Sequence, residues 1–141
     1  MIYITRRERF SSAHKLENIK LSNEENNNIF GPCYNIHGHN YELFVTVKGD
    51  VDQKTGFVTN LKDLDKLLKS LVISKLDHKI INDVSFMKNK IASTENLCIA
   101  IWKELYEPIK KNLNCKLFCI KILETENNIF EYFGNKKEKN E

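Results

Sequence analysis

Three of the four histidines in this chain are spaced for metal chemistry. His37 and His39 form His-Gly-His at the entry to a run of β character, and residues two apart on an extended backbone project from the same face. Gly38 between them has no side chain to pack and lets another group approach closely. His14 stands just after an earlier extended run, in Phe-Ser-Ser-Ala-His-Lys-Leu, so pairing of the two runs would bring it to the other two. Three histidines on one zinc ion leave a fourth position for substrate or water, which is the ligand count of catalytic zinc sites. The plainer alternative is a pair of exposed strand histidines and an unrelated third.

Cys33 precedes His37 by four residues, in Gly-Pro-Cys-Tyr-Asn-Ile-His-Gly-His. As a fourth zinc ligand it would close the site and make it structural. As an unligated thiol beside the metal's charge it would be a base or nucleophile. Spacing leaves both readings open. The fourth histidine lies in Leu76-Asp77-His78-Lys79, where adjacent Asp77 and His78 suit either a proton-transfer pair or a solvated helix end. Cys98, Cys115 and Cys119 fall in apolar runs and read as buried free thiols, because the chain is neither short nor cysteine-dense.

The elements that must position these groups follow from periodicity. Residues 2–10 and 39–49 alternate as strands, the second with Tyr41, Leu43, Val45 and Val47 on one face. Residues 17–32 are polar and rich in Asn and Glu, and are expected to form a long surface loop. Leu61, Leu64, Leu67, Leu68, Leu71 and Val72 predict an amphipathic helix over 61–75, with Asn60 as its N-cap. A second helix is expected from Ser93-Thr94-Glu95 onward, ended or kinked at Pro108. Residues 115–123 and 128–133 return to strand character. The order strand, strand, helix, helix, strand, strand predicts an α+β fold, a four-stranded antiparallel sheet with two helices on one face. Such a sheet has two open edges, which neighbouring subunits would be expected to pair.

At 141 residues, 41% hydrophobic and 29% charged, the chain is sized for one domain, expected over 1–133 with a polar tail at 134–141. No apolar stretch reaches the length of a membrane span, and the N-terminus lacks the pattern of a secretory signal, so a cytoplasmic protein is expected. The charge of +3 is interleaved with acids along the chain, unlike the one-sided basic face of a nucleic-acid binder.

Five segments, in order, resemble the 6-pyruvoyltetrahydropterin synthase / 6-carboxytetrahydropterin synthase family. They are Phe10 to Leu16, Cys33 to Tyr41, Leu76 to Lys79, Ser93 to Leu97, and Glu124-Thr125-Glu126-Asn127-Asn128. The resemblance implies the T-fold, in which subunits join their sheets into a barrel, commonly as a hexamer of two stacked trimers. It implies 7,8-dihydroneopterin triphosphate as substrate and zinc as cofactor, held by His14, His37 and His39. Cys33 would be the general base, relayed through Asp77 and His78 across a subunit boundary. Glu124, with Thr94 and Glu95, would bind the pterin.

Family branches differ in product. The Cys-x3-His-Gly-His interval resembles the enzymes that release acetaldehyde and form 6-carboxytetrahydropterin, a precursor of 7-deazaguanines such as queuosine. The long 17–32 segment and Glu-Thr-Glu-Asn-Asn resemble those that form 6-pyruvoyltetrahydropterin. Because the interval sets the base relative to the metal, the carboxy product is the expectation and the pyruvoyl product the alternative. A non-catalytic pterin-binding protein of the same fold is the third reading, and the intact Cys33, Asp77 and His78 weigh against it. Asn60 stands where the family often has Asp, a change of helix cap. Lys15 is a candidate contact for the triphosphate.

Overall fold

A computed structural model describes residues 1–139. Two long strands, β1 (Ile2–His14) and β2 (His37–Gly49), pair antiparallel along their whole length, from Ile2 opposite Gly49 to His14 opposite His37. β2 pairs with β4 (Lys116–Thr125), and β4 with β5 (Asn128–Tyr132), both antiparallel. These are the four expected strands. A fifth, β3 (Lys79–Ile80), adds two parallel pairs at Ser12 and Ala13, so the sheet order is β3-β1-β2-β4-β5. β3 was invisible as a sequence pattern because two residues have no period.

Alternation along β2 puts Tyr41, Leu43, Val45 and Val47 on the helix-facing side, each at most 1% exposed. The expected 61–75 helix runs from α2 (Leu61–Leu68) through a π-helical stretch, Lys69–Ile73, into α3 (Ser74–Leu76). Its Leu64, Leu68, Val72 and Leu76 are fully buried on the sheet, and Asn60 caps it by accepting from the Lys62 N–H. α4 (Thr94–Asn112) packs beside it through Leu97, Ile101, Leu105 and Ile109. Pro108 does not end α4: buried Ile109 and Leu113 lie beyond it, so packing carries the helix past the missing N–H. Among the described residues, no helix is long and apolar enough to cross a membrane.

The 17–32 segment corrects an expectation. It holds a helix, α1 (Asn23–Phe30), followed by a 3-10 turn at Gly31–Tyr34. Asparagine is a weak helix former, which hid the element. The signal that reveals it is Ser22-x-x-Glu25, a capping box: the Glu25 N–H donates to the Ser22 hydroxyl at 3.1 Å, and that hydroxyl donates to the Glu25 carboxylate at 3.2 Å. Gly31, at φ 54°, supplies the left-handed stop. Asn26 is only 2% exposed; its Oδ1 accepts from the Asn18 N–H, and its Nδ2 donates to the carbonyls of Asn18 and Ser22. Asn26→Ala should therefore lower the unfolding free energy by about 2–3 kcal/mol, read by denaturant melts, because a buried side chain and these three part-buried hydrogen bonds are lost at once.

The tail also has structure. Gly134, at φ 79°, lies so close to Trp102 that a Cβ there would meet the indole at 2.4 Å. Asn135 and Glu138 cap each other at the start of α5 (Lys136–Lys139). Residues 140 and 141 lie outside the described residues.

Candidate active site

The register of β1 with β2 assembles the histidines. His14 is directly opposite His37, and His39 is opposite Ser12, so all three rings share the helix-facing side. Ring centroids are 4.5 Å apart for His14 and His37, 5.2 Å for His14 and His39, and 5.1 Å for His37 and His39. One ring nitrogen from each lies within 4.8 Å of the other two. Gly38 makes the close pairing possible, since a Cβ there would sit 3.2 Å from the Ser12 carbonyl oxygen.

Hydrogen bonds assign the tautomers. Nδ1 of His14 is 2.8 Å from the Ala92 carbonyl, and Nδ1 of His37 is 2.8 Å from the Asn35 carbonyl. A carbonyl only accepts, so each Nδ1 carries the proton and each Nε2 keeps its lone pair. Nε2 of His14 and Nε2 of His39 are buried with no hydrogen-bond partner. Burial is the main cause that pushes the pKa of both rings down, with the neighbouring His37 adding to it and Glu124 opposing it. Neutral imidazoles with orphaned, converging nitrogens fit a divalent metal of the kind imidazole favours. Cys33 is not in the group, so the donor set is three histidines, and the closed four-ligand alternative is not what the described residues build.

Glu124 reaches the same face by strand alternation, two residues beyond the buried Ile122. Leu123 pairs with Ile129 and Thr125 with Asn128, so Glu124 is also the extra residue of an irregularity in the β4–β5 pairing. The Glu124 carboxylate accepts a short hydrogen bond from the Thr94 hydroxyl. Thr94 is held at the first turn of α4 by the Ser93 cap and is 3% exposed. Glu95, its sequence neighbour, is exposed in that turn and makes no hydrogen bond among the described residues. The chain thus brings His14, His37, His39, Thr94 and Glu124 together and leaves Glu95 outside.

The remaining residues sit elsewhere on the chain. Cys33 lies half-buried on the 3-10 turn, its carbonyl accepting from the Leu16 N–H at 2.8 Å. Asp77 and His78 form a pair, with Nδ1 of His78 3.0 Å from an Asp77 oxygen. The other Asp77 oxygen accepts from the Ser11 N–H at 2.9 Å, while the His78 N–H donates to the Ser11 carbonyl at 2.7 Å. The Ser11 N–H is the largest cause that pulls the Asp77 pKa below the usual carboxylate range, with His78 contributing. His78 holds a left-handed backbone at φ 59°, and its side chain is 82% exposed, so it is turned away from its own core. Lys15 is engaged locally, over the Tyr34 ring at 4.3 Å and 3.3 Å from Glu17.

Sequence reasoning overlooked Asn82, whose amide brackets the Lys15 backbone: its oxygen accepts from the Lys15 N–H and its nitrogen donates to the Lys15 carbonyl. That bracket steadies the segment that holds Cys33. No local pattern announces it, since the partners are 67 residues apart.

Fold and site define a T-fold protein with a candidate three-histidine metal centre beside an acidic anchor. Residues 3–135 match the family model described as 6-pyruvoyl tetrahydropterin synthase. The chain belongs to that family, whose members are enzymes acting on pterin substrates. It is 48% identical over 134 residues to the 6-pyruvoyl tetrahydrobiopterin synthase of Dictyostelium discoideum, covering 94% of this chain and 96% of the relative. It superposes on the 6-pyruvoyl tetrahydropterin synthase of Caenorhabditis elegans with a TM-score of 0.85 and 37% identity, covering 95% and 96% of the two chains. A protein of Archaeoglobus fulgidus, provisionally named 6-carboxy-5,6,7,8-tetrahydropterin synthase, is 31% identical over 107 residues, 76% of each. Likeness therefore favours the pyruvoyl alternative over the carboxy product expected from the Cys–His interval. Cys33 itself sits on the 3-10 turn that follows α1, tied to Leu16 through its backbone carbonyl.

Proposed function

We propose that this protein converts 7,8-dihydroneopterin triphosphate to 6-pyruvoyltetrahydropterin with loss of triphosphate. The observation that carries the reading is the three-histidine cluster with two buried, unpartnered nitrogens beside Thr94 and Glu124. It lies in a chain that is closely similar along its length to a 6-pyruvoyl tetrahydrobiopterin synthase. The reaction is an internal redox exchange. The dihydropterin ring takes up two electrons and two protons as the side-chain carbon next to it becomes a ketone; triphosphate is eliminated from the terminal carbon, which becomes a methyl group as the middle hydroxyl carbon becomes the second ketone. No outside oxidant or reductant is consumed.

In this reading Glu124 accepts two parallel hydrogen bonds from the pterin ring N–H and 2-amino group, which fixes the ring's orientation. The Cys33 thiolate takes the proton from the side-chain carbon next to the ring. Asp77 holds His78 in place, and the exposed His78 exchanges protons with Cys33 of a neighbouring subunit. His14, His37 and His39 would hold zinc, which when bound polarises and acidifies the side-chain hydroxyls. The open sheet supports an intersubunit arrangement: β3 covers only Ser12 and Ala13 of β1, leaving most of the outer edges of β1 and β5 for neighbours. A hexamer built from two trimeric barrels would pair those edges.

Mass spectrometry of the products from zinc-loaded protein tests the reading. The expected result is 6-pyruvoyltetrahydropterin and triphosphate with no acetaldehyde. Acetaldehyde with 6-carboxytetrahydropterin would return the carboxy reading. Absence of turnover at full metal occupancy would overturn both and leave a pterin-binding protein.

A further inference from the structure

Phe10, Tyr41 and Glu124 form one row across the helix-facing side of the sheet. Phe10 is opposite Tyr41 in the β1–β2 register, and Tyr41 stands one step beyond the Glu42–Leu123 pair of β2 and β4. The Tyr41 ring is clamped: it stacks on Phe10 at 4.8 Å with planes 9° apart, and meets His39 edge-on at 5.4 Å. Tyr41 is 1% exposed, and its hydroxyl is buried without a well-formed hydrogen bond in the chain. The apolar positions that continue this face, Leu43, Val45 and Val47, show that packing alone asks for no hydroxyl here. A buried donor without a partner in a native protein calls for an explanation.

The neighbouring groups supply one. Tyr41 is level with Glu124 across β2 and β4, and burial pushes the pKa of its hydroxyl up, with Glu124 adding to the shift and Thr94 opposing it. The Thr94 hydroxyl spends its proton on Glu124. A hydroxyl that donates still has lone pairs to accept with. The strand pleat puts Glu124 on this face, and its hydrogen bond with Thr94 fixes where the carboxylate points. We propose that Tyr41 is a positioning residue: when the pterin ring seats, its free O–H donates to Thr94 Oγ1, and the chain Tyr41–Thr94–Glu124 holds the Glu124 carboxylate on the ring. Successive hydrogen bonds in a buried chain polarise and strengthen one another. The inference rests on the reading of Glu124 as the ring anchor.

The test uses full-length, zinc-loaded Tyr41→Phe, Thr94→Val and the double variant. Tyr41→Phe keeps the ring and removes the unpartnered hydroxyl, so Tm should stay level or rise. KM for 7,8-dihydroneopterin triphosphate should increase about tenfold, the scale of one lost hydrogen bond, with kcat and zinc content unchanged. Thr94→Val should raise KM further, and the double variant should be no worse than Thr94→Val, because both act through one chain. A wild-type KM for Tyr41→Phe, or effects that multiply in the double variant, would overturn the relay while the proposed function stands. Loss of zinc from Tyr41→Phe would assign the hydroxyl to the metal histidines and overturn it too. If the wild-type protein neither binds nor turns over the substrate, the proposed function fails and the relay with it.

Discussion

Cys33→Ala should keep its metal and lose turnover by about a hundredfold to ten-thousandfold, the range supplied by a positioned general base. The two outcomes separate because Cys33 stands outside the group of converging ring nitrogens. The fold should tolerate the change, since the turn that carries Cys33 is tied by its backbone carbonyl to Leu16, not by the thiol. Metal analysis together with the rate of substrate consumption checks both halves. Joint loss of metal and activity would instead make the thiol a ligand.

His37→Ala should empty the metal centre and lower turnover by about a thousandfold, the equivalent of several kcal/mol of lost charge stabilisation. His37 is the informative choice because it is only partly buried, whereas truncating buried His14 would also leave a hole in the packing. Melting temperature of the metal-free variant should match that of the metal-free parent. Acidification gives a related expectation. Burial lowers the pKa of His14 and His39, so protons compete poorly for their nitrogens and metal should be retained below the ordinary histidine value of about 6.5. In the metal-free protein the same shift acts on stability. These rings fold neutral, so stability is intact above the unfolded pKa and falls as pH drops below it. Metal content and thermal melts across pH 7 to 5 measure the two effects.

The residues proposed as ligands, base and anchor stand out in the sequence because each lies in a short local motif. His-Gly-His announces two side chains on one strand face, and the alternation of Tyr41, Leu43, Val45 and Val47 tells which face is buried. The same alternation hid Tyr41's hydroxyl, since a strand pattern scores its ring as core and says nothing of the oxygen. The α1 helix escaped because asparagine propensity masked a capping box that was present at Ser22 and Glu25. The Cys33-to-His37 interval pointed to the carboxy product, whereas likeness along the whole chain favours the pyruvoyl product.

Sequence by itself determined the residue types, the strand faces and the helix that packs on them, all consequences of period and local capping. Tertiary structure alone decided which partners meet. The β1–β2 register put His14 opposite His37, the carbonyls of Ala92 and Asn35 chose the tautomers, and the packing of α4 on the sheet brought Thr94 to Glu124. Those contacts join residues that are mostly distant in the chain, and a local pattern carries no information about where the backbone will return.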